Sequence, residues 1–293
     1  SFKPRTPKSA IIVPNTVTTT ALTCIWRCCM KDQTAGVGMR VSCAVTSDRG
    51  LLRSSNEDSE CARPDLGLFL VADGMGGHVA GEVASRLVVK TIENFMQETK
   101  TTRMEDNWPF PLNAKISVTA NRAQFAFRLA NRALASKIAG AEHLNGMATT
   151  ASAIVVSDRL AAIAHVGDSR IYRLRCGQLK QLTTDHSWVQ EQVQAGELTP
   201  SAARKHPWRN IVTRALSGAE DPNVDLNEYE LEIGDRFLIC SDGLFAVVSD
   251  ERIKELLSQS VTLETVCNNL VEAANAGGGP DNITTLVLQI DDP

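Results

Sequence analysis

Residues 160–183, LAAIAHVGDSRIYRLRCGQLKQLT, alternate short Val/Ile/Leu-rich runs with the pairs Gly167-Asp168 and Cys176-Gly177. Apolar runs of this length bounded by turn residues read as the strands of a meander. The same texture recurs outward from there. Val41–Val45, Gly67–Ala72, Ala151–Ser157, Ala161–Val166, Ser169–Arg175, Arg236–Cys240 and Thr284–Ile290 are further strand candidates. A helical period runs through Ala80–Met96, where Val83, Leu87 and Val88 share a face, and through Ile116–Ile138, Asp250–Gln259 and Leu263–Ala274. Ser187-Trp188-Val189-Gln190 fits a capping box, and Thr199-Pro200 a second helix start. Strands without regular βα alternation predict an α+β fold: antiparallel sheets with helices packed on their outer faces.

The chain has 293 residues, a net charge of −4 and 43% hydrophobic residues. That is long enough for a full core and too apolar for wholesale disorder. The acid surplus argues against a nucleic-acid binder, which needs a basic surface. No apolar run approaches the ~20 residues of a membrane-spanning helix, so the expectation is a soluble, cytoplasmic protein.

Residues 1–38 are rich in Thr, Pro, Lys and Arg and lack a steady period. They read as a flexible extension, or as a remnant of an expression vector, with Met39 a plausible natural start. Residues 39–293 read as a single domain. The eight cysteines include one cluster, Cys24, Cys28 and Cys29, which no second Cys or His pair completes into a zinc site. Reduced thiols are the expectation, with Cys240 a small buried hydrophobe.

Several acids share one context. Asp73 follows LFLVA, Asp168 follows IAHVG and Asp242 follows FLICS, while Asp281, in GGGPDN, precedes ITTLVLQI. Any one alone reads as an ordinary turn residue. Together they place carboxylates at the ends of buried strands, where they would repel unless cations neutralise them. Hard oxygen donors without His or Cys favour Mg²⁺ or Mn²⁺ over Zn²⁺. A pair of such ions makes a hydrolytic centre. SDRGLLRSSNEDSE adds Arg53, able to grip a phosphate, and Asn56, Glu57 and Asp58 beside it.

The segments SDRGLLRSSNED, LFLVADGMGGHVAGEVAS, GMATTASAIVV, AAIAHVGDSRIYRLR, LTTDHSWVQEQV, NIVTRALSG, DRFLICSDGLFAVVSD and GGGPDNITTLVL resemble, in order, the motifs of the metal-dependent serine/threonine protein phosphatases (PPM, type 2C) in their compact bacterial form. The resemblance spans roughly Val41 to Ile290. It implies two packed antiparallel sheets flanked on both sides by pairs of helices, with a binuclear metal centre at one end. It assigns Asp73 as the carboxylate bridging two Mn²⁺ or Mg²⁺ ions, and the Gly74 carbonyl as a ligand. Asp242 and Asp281 complete the second ion, Asp58 (and Glu57) hold water, and Arg53 grips the substrate phosphate. Asp168, with Asp242, would form a third metal site, to which Asn210 is placed to add an oxygen.

Met75 stands where animal members carry a candidate general-acid His, and His78, three residues on, does not inherit that role. Residues 183–209 match the family's flap, whose Trp188, Arg204, Lys205, His206, Trp208 and Arg209 either contact a phosphopeptide or pack and solvate the flap. The plainer packing reading is preferred for each singly. His186, in the TxDHS pattern, is expected to shape the flap. Residues 105–113, between the first two long helices, read as an exposed loop.

The implied function is hydrolysis of phosphoserine and phosphothreonine by direct attack of metal-bound hydroxide, without a phosphoenzyme. No Cys has the context of a nucleophile. The implied partners are phosphorylated proteins and a serine/threonine kinase that the enzyme, a monomer, opposes. Two competing readings are a pseudoenzyme that only binds phosphoproteins and a regulator with one narrow substrate. The intact set of Arg53, Asp58, Asp73, Asp242 and Asp281 argues against the first.

Overall fold

The computed structural model describes residues 39–76, 80–100, 111–219 and 221–293, all within one compact unit, Val37–Pro293. The expectations for residues 1–38, for Cys24, Cys28, Cys29 and His78, and for most of the 105–113 loop lie outside the described residues.

One sheet orders its strands as β1 (Arg40–Asp48), β11 (Ile283–Asp291), β10 (Arg236–Cys240), β7 (Arg170–Arg175) and β8 (Gln178–Gln181). The other orders β2 (Asp58–Arg63), β3 (Leu68–Met75), β5 (Ala151–Ser157), β6 (Leu160–Val166) and β9 (Asp225–Glu230), with the short β4 (Ala148–Thr149) paired to the end of β3. Every pairing is antiparallel.

Alternation along the strands builds four layers. Phe69, Val71, Ile154, Ile163, Phe237, Ile239, Leu286 and Leu288 fill the space between the sheets. From the same strands, Leu68, Leu70, Ala72, Ala153 and Val155 face outward onto α1 (Ala80–Glu98) and α2 (Val118–Ala139). Leu238, Cys240, Ile283 and Val287 face outward in the other sheet, onto α6 (Asp250–Leu257) and α7 (Leu263–Ala276). Both faces of each sheet are therefore dry, which is why LFLVA and FLIC read as continuous apolar runs rather than as half-apolar strands.

Helices start at Ala80, Asp250 and Leu263 as the sequence expects, and at Val118 rather than Ile116. Ser117, Thr262 and Thr199 each accept a hydrogen bond from the backbone N–H three residues on. The exception is Ser187. It occupies the N-cap of α3 (Trp188–Gln194), yet its side chain makes no capping bond, so the capping box does not form. Ser187 is instead held in an antiparallel bridge to Val212, which fixes its backbone from the other side. Past Thr199, Pro200–Ala203 forms the one-turn α4, and Asp242–Phe245 the one-turn α5.

The meander also needs correction. Cys176 and Gly177 both have positive φ, 49° and 71°, and close the β7–β8 hairpin. Gly167-Asp168 is no hairpin turn: it carries the chain from β6 in one sheet to β7 in the other. Strands β2, with DSECAR, and β9, with DLNEYE, were not anticipated, because both are edge strands too polar to show an apolar run.

Cys43, Cys61, Cys240 and Cys267 are free thiols. Among the described residues no helix is long and apolar enough to cross a membrane.

Candidate metal centre

The C-terminal ends of β3, β6 and β10 meet the N-terminal ends of β2 and β11 at one end of the sandwich. There they enclose a cleft of about 420 Å³. Arg53, Glu57, Asp73, Gly74, Met75, Asp168, Asn210, Asp242 and Asp281 all line it. Asp58 does not; it lies beneath, buried, directly across the β2–β3 ladder from Asp73.

Asp73 sits on a backbone that is held at three points. Its N–H donates to Thr150 Oγ1 (3.1 Å), and its carbonyl accepts from Thr150 N–H (2.9 Å) and Thr149 Oγ1 (2.8 Å). Thr150 Oγ1 is also 2.7 Å from Ser169 Oγ, which ties the strand of Asp73 to the turn of Asp168. Gly74 leaves no room for a side chain: an added Cβ would lie 2.1 Å from the Gly81 carbonyl oxygen. At Gly81 a Cβ would fall 1.8 Å from Glu57 Oε2, so the Glu57 carboxylate occupies the notch at the start of α1, where a helix N-terminus favours negative charge.

Asp58 Oδ2 accepts from Ser241 Oγ (2.8 Å) and Thr284 Oγ1 (2.7 Å), which joins the two sheets behind the cleft. Asn282 straps the loop that carries Arg53. Its Oδ1 accepts from Glu57 N–H (2.8 Å), and its Nδ2 donates to the carbonyls of Arg49 (2.9 Å) and Ser55 (2.8 Å). Thr150, Ser241, Asn282 and Thr284 were not anticipated. Their signal was there: hydroxyls and an amide break the apolar pattern at the strand ends in MATTAS, LICSDG and PDNITT.

The electrostatics are those of crowded acids. Burial first, then the Asp242 and Asp281 charges, push Asp58 up to about 7, against the pull of Thr284 and Ser241. Burial and neighbouring Asp242 and Asp185 push Asp168 up to about 8. Burial and Asp281 push Asp242 up to about 6, and burial with Asp58, Asp242, Asp168 and Asp281 holds Asp73 well above the carboxylate range. Arg53 is the one cation among the lining residues. Its Nη2 donates to Asp281 Oδ2 at 2.7 Å, with the Arg53 side chain 53% exposed.

These residues suit hard divalent cations. Asp58 Oδ1 and Asp242 Oδ1 are buried without a hydrogen-bond partner, although buried carboxylate oxygens ordinarily have one. All the lining donors are oxygens. Among the described residues no three His, Cys, Asp or Glu side chains form a ready-made cage. Mg²⁺-like ions do not need one, since they take one or two carboxylates and keep several waters.

The flap expectations divide. Trp188 and Trp208 meet edge-on with ring centroids 4.8 Å apart, and His206 lies 4.9 Å from Trp188. The aromatics thus pack on one another within the flap, while Trp208 stays 52% exposed. Arg204, Lys205 and Arg209 are exposed. None of the residues lining the cleft comes from 183–209; Asn210 and Val212, just past that segment, do line it.

Comparison with known proteins bears on this geometry directly. The family described as "Protein phosphatase 2C" matches residues 55–274. The serine/threonine protein phosphatase PstP of Mycobacterium tuberculosis is 41% identical over 251 residues, covering 85% of this chain and 45% of that protein. The chain thus spans about half the length of that relative. The serine/threonine phosphatase stp of Listeria monocytogenes is 34% identical, over 84% of this chain and 94% of that one. The crystal structure of M. tuberculosis PstP superposes with a TM-score of 0.76 at 40% identity, covering 86% of this chain and 99% of that one. A second structure, the PstP catalytic domain in complex with two manganese ions, gives 0.74 at 38% identity, covering 87% and 100%. The chain belongs to the PP2C-type (PPM) serine/threonine protein phosphatase family. That family is metal-dependent, and in PstP the metal is seen as two manganese ions.

Proposed function

We propose that this protein removes phosphate from phosphoserine and phosphothreonine in other proteins, with two divalent cations held in the cleft. The observation that carries the proposal is the cleft itself. Acids from both sheets converge there beside one exposed arginine, with an unpartnered buried oxygen on Asp242 in the lining and another on Asp58 behind it. Relatives of this design carry the name serine/threonine phosphatase.

Asp73 and the Gly74 carbonyl would hold the ions. Asp242 and Asp281 would complete the second, and Asp58, fixed by Ser241 and Thr284, would hold water. Asp168 and Asp242 would hold a third. When bound, the ions supply a water acidified enough to attack phosphorus, together with positive charge for the phosphoryl oxygens. The chain's own part is positioning. Arg53 binds the phosphate oxygens. Its half-exposed side chain, paired through Nη2 with Asp281, would turn to the phosphate when cations take up the Asp281 charge. Met75 at the cleft wall carries no proton, so proton supply to the leaving oxygen falls to solvent or to a cleft carboxyl. The partners proposed are phosphorylated proteins and the serine/threonine kinase that the enzyme, acting as a monomer, opposes.

Hydrolysis of a phosphothreonine peptide, with Mn²⁺ and with a chelator, tests this. Turnover should require the metal and vanish in Asp242→Asn while the fold remains. Metal-independent turnover, or wild-type turnover in the variant, would refute the assignment. A chain that binds the peptide but never turns it over would be the phosphoprotein-binding pseudoenzyme.

A further inference from the structure

His186 takes no part in the chemistry above, yet it is 2% exposed and bonded on every side. Its Nδ1 accepts the Gly167 N–H at 3.0 Å. Its own N–H donates to the Gly167 carbonyl at 2.8 Å, and its carbonyl accepts from Thr213 N–H at 2.8 Å. On the far side of the ring, Nε2 lies 3.0 Å from Asp225 Oδ2, and Arg214 Nη1 holds the other Asp225 oxygen at 2.9 Å. The His165 ring lies tilted against it, with ring centroids 4.7 Å apart.

These contacts decide the tautomer. An amide N–H only donates, so Nδ1 carries no proton, and the ring proton sits on Nε2, facing Asp225. Asp225 thereby orients the imidazole, and the imidazole orients the Gly167 amide, the peptide unit next to Asp168. The main chain of His186 acts in the second direction. Immediately after it, Ser187 bridges Val212 and Trp188 N–H donates to the Ile211 carbonyl at 2.9 Å. Residues 188–211 therefore form a loop closed at its base beside His186, and Asn210, near its end, lines the cleft.

We propose that His186 is a positioning residue that sets the Gly167–Asp168 turn through Nδ1 and clamps the flap base through its backbone. Asp168 and Asn210, which line the same cleft, are then both tethered to one residue. The proposal rests on the reading above in which Asp168 takes a cation.

Two substitutions separate the ring atoms. In His186→Asn, Oδ1 falls near the position of Nδ1 and can still accept from Gly167. In His186→Gln, the amide reaches toward Asp225 and leaves the Gly167 N–H without its acceptor. Hydrogen exchange on the full chain, without metal, reads the turn. The Gly167 and Asp168 amides should exchange about tenfold faster in His186→Gln and stay close to wild type in His186→Asn. Mn²⁺ titration followed by EPR reads the site. The Asp168-dependent ion, defined by its loss in Asp168→Asn, should bind about tenfold more weakly in the Gln variant only. If the Asn and Gln variants behave alike, both intact or both equally impaired, His186 is a packing residue and the proposal fails. If Asp168→Asn leaves the titration unchanged, the metal reading of Asp168 falls, while the exchange comparison still decides the role of His186.

Discussion

Asp242→Asn has a thermodynamic signature that can be read without any turnover. In the metal-free protein Asp242 titrates near 6 instead of its ordinary 3.8, because burial and Asp281 disfavour its charge. A folded-state pKa above the unfolded value means that the carboxyl stabilises the fold below about pH 4. That contribution disappears as pH rises through 6. Near pH 8 the ionised group costs the metal-free fold about 3 kcal/mol relative to the protonated one. Asparagine keeps the shape and never ionises. The metal-free variant should therefore be more stable than metal-free wild type by about that amount at pH 8, or roughly 6–12 °C in Tm. The gap should close by pH 4. Mn²⁺ at about a hundred times its Kd should raise the wild type by about 2.7 kcal/mol and raise the variant much less. Thermal melts with chelator and with Mn²⁺, at pH 4.5, 6 and 8, test all of this. A variant less stable than wild type in chelator at pH 8 would refute the claim that uncompensated charge strains the cleft.

Other expectations follow from single contacts. Gly74→Ala would place a Cβ 2.1 Å from the Gly81 carbonyl oxygen, so the start of α1 must move; activity should be lost and Tm lowered, measured on the purified variant. Ser241→Ala leaves Asp58 Oδ2 with Thr284 as its one remaining donor and should cost about 1–3 kcal/mol in denaturant unfolding. Stabilisation there would show that the Ser241 hydroxyl is not needed. Arg53→Ala should weaken inhibition by inorganic phosphate about tenfold or more. Its half-exposed pair with Asp281 should matter little to metal-free stability, under about 1 kcal/mol.

The central strands and long helices were legible because their residues must satisfy one repeating demand. LFLVA and FLIC are apolar at every step because both faces of the sheet are covered. Arg236–Cys240 and Ala151–Ser157 keep in the structure the bounds their sequence implied. The edges were not legible. DLNEYE is an edge strand in which Leu226 and Tyr229 alone are packed against the cores, too few to make an apolar run. Gly167-Asp168 looked like a hairpin turn because local sequence cannot say to which sheet the next strand belongs. At the site, three acids announced themselves by position after apolar runs and Asp281 by position before one, and the structure gathers Asp73, Asp168, Asp242 and Asp281 around one space. Asp58 was expected beside them and lies underneath instead, held by hydroxyls 183 and 226 residues away. Those partners follow from the docking of two sheets, which no local pattern encodes.

The strand order has a consequence for how the protein comes into being. β11 follows all the other described strands in sequence, yet it lies between β1 and β10. During synthesis β1 must wait through almost the whole domain for its neighbour. Asp281 and Asn282, just ahead of β11, reach the ribosome exit only after every other cleft residue. Such distant pairing is slow to nucleate. The last two residues to line the cleft, and the strand that joins β1 to β10, are thus the last parts of the domain to be made.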